Sequence, residues 1–129
     1  MPKRSDFVDH VIETMRMFGP VESRRMFGGW GLYHQNLFFA LIAGDTMYLK
    51  SDEENRAEFD ARGLEPFAFE KKGERIETHY RAVPEEALED PVEMARWARL
   101  GYAAALRAAS AKARKSPPRP KRPAAKRRS

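Results

Sequence analysis

Gly28, Gly29 and Gly31 fall within four positions behind Arg24-Arg25-Met26-Phe27, a composition that can cradle a phosphate. Glycine-rich loops bring backbone N–H groups close to an anion, and flanking arginines add charge. The context argues against that chemistry here. A Walker-type loop needs a Lys-Ser/Thr pair after its last glycine, and a dinucleotide fingerprint needs a strand before it and a helix after it. Leu32-Tyr33 follow Gly31 instead and open another strand-like segment. Gly28 and Gly29 are therefore expected to supply positive φ in a hairpin turn, and Gly31 to mark a bulge or a close backbone approach. On this reading Arg24, Arg25, Met26, Phe27, Gly28, Gly29 and Gly31 form a structural motif.

The other residues capable of chemistry are scattered. His10, His34 and His79 show no ligand spacing, so no metal site is expected. The acidic clusters Asp52-Glu53-Glu54, Glu85-Glu86 and Glu89-Asp90 each lie at an expected helix start, where the macrodipole explains them. Ser51 reads as an N-cap with Glu54 at N3, a capping box rather than a nucleophile. Cysteine is absent, which excludes disulfides, thiolate metal sites and a Cys nucleophile and fits a reducing cytosol. The expectation is a protein that is not an enzyme and uses no cofactor.

Charge is where the chain is least ordinary. Residues 112–129 hold nine cations and no acid: Lys112, Arg114, Lys115, Arg119, Lys121, Arg122, Lys126, Arg127 and Arg128. Residues 1–111 hold 15 basic and 19 acidic residues, so a mildly acidic body carries a tail of +9. Such a tail attracts polyanions through counterion release and offers no base-reading geometry, so the expected partner is nucleic acid bound without sequence preference. The alternative is an interaction module whose tail only keeps it soluble. Four prolines and no aliphatic side chain larger than alanine follow Ala113, and a disordered tail over 112–129 is expected beyond a folded domain at 1–111.

The hydropathy pattern of the body predicts the elements that must position these residues. Apolar residues at 8, 11, 12, 15 and 18 have helical spacing, with Ser5 as N-cap and Gly19-Pro20 as terminator. From Val21 to Lys50 short aromatic and aliphatic segments alternate with turn signals at Gly28-Gly29, Gln35-Asn36 and Gly44-Asp45, an antiparallel meander with Leu37–Ile42 as its most buried strand. A capped helix, two more strands turning at Lys72-Gly73, and a helix opened by Asp90-Pro91 complete the order α-β-β-β-β-α-β-β-α. The class is α+β: helices packed on an antiparallel sheet. The pairs Met26-Phe27, Phe38-Phe39 and Phe67/Phe69 raise an RNA-stacking sheet, but the β-α-β-β-α-β order of an RRM and its Lys/Arg-Gly-Phe/Tyr signature are missing, so these rings read as core.

At 129 residues the chain is long enough for one domain. No apolar run approaches the roughly 18 residues a membrane span requires. No apolar stretch follows Lys3-Arg4 as in a secretory signal, so a cytoplasmic protein without a membrane partner is expected. Oligomeric state is not legible.

The ordered series Arg24-Arg25-Met26-Phe27-Gly28-Gly29, Gly31-Leu32-Tyr33, Phe39-Ala40-Leu41-Ile42, Tyr48-Leu49-Lys50, Pro66-Phe67, Tyr80, Val83-Pro84-Glu85-Glu86-Ala87-Leu88 and Trp97-Ala98 resembles the N-terminal domain of the TfoX (Sxy) family of competence regulators. The resemblance covers about residues 5–110. It implies an α+β domain and a role in positive regulation of DNA-uptake genes, in the best-known members by assisting the cyclic-AMP receptor protein at competence promoters. It carries no established catalytic residues. Full-length members add a C-terminal helical domain suited to DNA contact; here the basic tail stands in its place.

Overall fold

The computed structural model describes residues 6–26 and 28–115. Helix α1, Asp6–Thr14, has Asp6 and Asp9 in its first turn, where carboxylates complement the dipole, and buries Val8 and Val11. The chain then tightens into a 3₁₀ turn at Met15–Met17, and the Phe18 and Gly19 N–H groups both donate to the Met15 carbonyl, at 2.8 and 3.0 Å.

Six strands follow: β1 Glu22–Met26, β2 Gly29–His34, β3 Leu37–Ala43, β4 Thr46–Lys50, β5 Pro66–Lys71 and β6 Glu74–Ala82. They form one antiparallel sheet in the order β1-β2-β3-β4-β6-β5. The four-strand meander, the two-strand addition and the α+β class match the sequence expectation. Gln35 and Asn36 (φ 51° and 67°) and Lys72 and Gly73 (φ 53° and 79°) each give two successive left-handed residues, the turn geometry that matches strand twist in a two-residue hairpin.

Helix α2, Arg56–Ala61, bridges β4 and β5, and helix α3, Pro91–Lys115, returns across the sheet. Asp90 caps α3, accepting from the Val92 N–H at 3.0 Å, and Pro91 sits where no N–H is needed. Met94, Trp97, Ala98 and Ala105, at helical spacing, are buried against Phe39, Met47, Leu49 and Phe59. The helix runs on to Lys115, so Lys112, Arg114 and Lys115 belong to α3 and not to a tail beginning at 112. Alanine-rich sequence with no proline between Pro91 and Pro117 has high helix propensity, which carries the helix past the core. The remaining expected tail residues, 116–129, lie outside the described residues, as do the Ser5 cap and Phe27.

The cap before α2 differs from the expected box. Ser51 still belongs to the sheet ladder, donating its N–H to the His79 carbonyl at 2.7 Å, so the backbone leaves the sheet one residue later. Asp52 is the cap: its Oδ1 accepts from the Glu54 and Asn55 N–H groups at 3.0 and 3.1 Å, and Asn55 Oδ1 accepts from the Asp52 N–H at 2.8 Å. Asn55, buried, also donates through Nδ2 to the carbonyls of Lys50 and Leu100, locking the end of β4 to α3.

Candidate functional site: the glycine motif, the open sheet face and the cationic helix end

Alternation along β1 sends Arg24 and Arg25 to opposite faces of the sheet. The Arg24 guanidinium lies 4.1 Å over the Tyr33 ring and shares Nη2 between Glu22 and the Asn36 side-chain oxygen at 3.3 and 3.2 Å. Arg25 lies 5.2 Å over Trp30. The two arginines therefore do not converge on the glycines.

Each motif glycine answers a structural demand, of backbone conformation at Gly28 and of space at Gly29 and Gly31. Gly28 has φ 79° with open space around it, a turn residue as expected. Gly29 departs from expectation: it is already strand, and a Cβ there would stand 2.3 Å from the Ile42 carbonyl oxygen. What it needs is room for a neighbouring backbone, not a left-handed turn. A Cβ on Gly31 would come 2.9 Å from both Met26 Sδ and Phe38 Cε1, a close approach; the irregular register lies further on, between Leu32 and Tyr33.

That register shift leaves Phe39 as an extra residue on β3, so Phe38 and Phe39 point to opposite faces of the sheet in the sense set by their contacts. Phe39 is fully buried on the helix side beside Phe18 and Tyr102, with centroids at 5.4 and 5.7 Å. Phe38 meets Tyr33 at 5.3 Å and Tyr80 at 5.6 Å on the other side. Tyr48 and Phe67 meet there at 5.1 Å, and Phe69 is 44% exposed. The expectation that Phe38, Phe67 and Phe69 are core is thus corrected. All three helices pack against the opposite side, and among the described residues no element covers these rings.

The histidines are separately engaged. His10 Nε2 bonds the Leu88 carbonyl, and His34 Nδ1 bonds the Pro20 carbonyl at 2.7 Å with its ring 4.7 Å from Phe18 and 4.9 Å from Tyr102. His79 sits in β6. Among the described residues no three carboxylates or histidines gather as a metal site would require.

The acidic stretch after β4 meets the basic half of α3. Arg107 holds Asp52 in a two-pronged pair, Nε to Oδ2 at 2.7 Å and Nη2 to Oδ1 at 3.0 Å, with Glu54 at 3.5 Å. The Arg107 hydrogen bonds hold the Asp52 carboxyl below the ordinary value of 3.8 against the opposing effect of burial. Lys50, Asp52, Arg107 and Ala111 line one open cleft, so the last turns of α3 leave the body beside Lys50. Lys112 is exposed there; Arg114 and Lys115 complete the helix. Arg119, Lys121, Arg122, Lys126, Arg127 and Arg128 lie outside the described residues.

An antiparallel six-strand sheet, helices on one side and a glycine motif that fits strand to strand define a small α+β domain. The TfoX N-terminal domain model matches residues 13–105, and the chain belongs to that family. It is 29% identical over 81 residues to the DNA transformation protein TfoX1 of Aliivibrio fischeri (strain ATCC 700601 / ES114), an alignment covering 63% of this chain and 39% of that relative. The chain thus matches well under half the length of that relative. The match to the family ends at Ala105, before Arg107 and every cation of the C-terminal run.

Proposed function

We propose that the protein is a non-catalytic regulator of DNA transformation whose α+β body contacts a partner protein while its C-terminal cations hold nucleic acid without sequence preference. The carrying observation is electrostatic. Glu93 is the last acid of the chain, and the 36 residues after it contain twelve Lys/Arg. Arg107 is engaged by Asp52, and α3 continues past it through Lys112, Arg114 and Lys115 with no acid in the sequence beyond Glu93. A polyanion is the complementary partner for such an end. Family membership and the named relative support the transformation role, and a partner such as the cyclic-AMP receptor protein follows from the same resemblance. No helix among the described residues is long and apolar enough to cross a membrane, which accords with action in the cytoplasm.

Filter binding of duplex DNA against salt tests the reading. Retention is expected at low salt, with log K falling against log salt no more steeply than about −8, the limit for nine engaged cations. Changing the cations from Lys112 to Arg128 to glutamine should abolish it. Retention undiminished by that change overturns the tail assignment, and absence of binding by the intact chain near 50 mM salt favours a tail that only solubilises.

A further inference from the structure

We propose that the uncovered sheet face is a second nucleic-acid site, a stacking platform for single-stranded nucleic acid. The proposal deepens the nucleic-acid reading above and rests on it for the class of polymer. Its core is a continuous row across five strands: Arg24 over Tyr33 at 4.1 Å, Tyr33 to Phe38 at 5.3 Å, Phe38 to Tyr80 at 5.6 Å, and Lys50 over Tyr80 at 5.1 Å. Four inter-strand spacings give the row a length of roughly 19 Å. It presents three rings, with Arg24 at the β1 end, Tyr80 at the β6 end and Lys50 on β4, the strand between those of Phe38 and Tyr80.

Flat rings accept unpaired bases of any sequence, and flanking cations accept the phosphates. The rings are half-buried and held by one another, so little ordering is needed when a base arrives. Tyr33 makes no hydrogen bond through its hydroxyl among the described residues, leaving a donor and an acceptor for a base edge. Lys50 makes no ion pair among the described residues, and the Arg24–Glu22 pair is solvent-exposed and weak. Lys50 shares one open cleft with Arg107, Ser110 and Ala111 of α3, a cleft that Asp52, Glu53 and Glu54 also line, so the platform ends near that part of the helix. A duplex offers no free base face and is disfavoured on the rings.

The test uses the intact chain, labelled oligothymidylate of about twelve nucleotides and a duplex of equal length, read by fluorescence anisotropy. Tyr33→Leu and Phe38→Leu keep apolar bulk and remove the ring face, with circular dichroism confirming the fold. Each is expected to weaken oligothymidylate by about tenfold and leave duplex binding unchanged. Unchanged oligothymidylate affinity in the folded variants overturns the proposal. So does complete loss of oligothymidylate on neutralising the tail cations with the rings intact, an outcome that leaves the tail reading standing. If duplex binding survives tail neutralisation while the ring variants lose oligothymidylate, the tail reading fails and the platform stands. A dimer abolished by the ring variants, with oligothymidylate binding unaffected, assigns the face to a second copy and overturns the proposal.

Discussion

On the helix side of the sheet Phe59 and Trp97 meet at 5.3 Å, and both are essentially free of solvent. On the other side Tyr33 and Phe38 meet at the same 5.3 Å and keep part of each ring in water. Contact distance is equal; what differs is whether a third layer closes over the pair. α3 supplies that layer through Met94, Trp97 and Ala98, and the open face has no counterpart among the described residues. A buried ring is held by all its neighbours at once, whereas an open row is held laterally and keeps one surface for a ligand.

The largest expected effect follows from that contrast. Trp97→Ala should cost about 3–5 kcal/mol in urea denaturation, because the ring fills the centre of the core and its indole N–H makes no hydrogen bond that substitution would free. Tyr33→Leu on the open face should cost about 1 kcal/mol or less. Equal losses would mean that the open face is as closed as the other.

The motif glycines sharpen the same contrast one step down. Gly29→Ala sets a Cβ against the Ile42 carbonyl oxygen, fixed backbone that cannot swing aside, and is expected to cost about 1–3 kcal/mol. Gly28→Ala meets no neighbour but keeps φ 79°, and is expected to cost about 1–2 kcal/mol. A free Gly29→Ala would show that β2 and β3 separate more easily than their register implies.

These two glycines also show what was legible in advance. A Gly-Gly pair says that side chains are unwelcome, and it cannot say whether a left-handed turn or a neighbouring carbonyl is the reason. The meander was readable because each hairpin carries its own turn residues. The Asp52 cap was missed because Ser51 and Glu54 have box spacing, while the sheet ladder, a long-range feature, claims the Ser51 N–H. Asp52 and Asn55, themselves three apart, were the available signal. The open aromatic row was missed for a related reason: an extra residue at Phe39 flips the alternation of β3, and sequence alone does not announce a bulge. The cations of the C-terminal run were readable from composition, but their start was not, since helix propensity carries α3 through 112–115.

A smaller effect concerns the closed side's electrostatic clasp. Arg107 lowers the Asp52 carboxyl below 3.8, so the pair contributes stability above about that pH and loses it as pH falls through the lowered native value. Arg107→Gln should cost about 1 kcal/mol or less at pH 7, the pair being partly solvent-exposed. In strong acid, where Asp52 is protonated in both proteins, the two denaturation curves should converge. A difference that persists at low pH would assign the role of Arg107 to packing of its aliphatic stem.

The smallest effect addresses how open the open face is. Burial, and secondarily the nearby Tyr33, push the Tyr80 phenol up to about 12 from 10.0. Burial being the larger cause, water reaches the phenol oxygen poorly, and Tyr80 marks the deeper, β6 end of the row. Ultraviolet titration of the four tyrosines should show a late step near 12 that Tyr80→Phe removes. Because the native phenol holds its proton more tightly than the unfolded one, its contribution to stability is intact below pH 10 and is lost as pH climbs towards 12. Tyr80→Phe should therefore flatten the alkaline fall in stability. If every tyrosine titrates together near 10, water reaches the whole row, and the graded half-burial that holds the rings in place for stacking is absent.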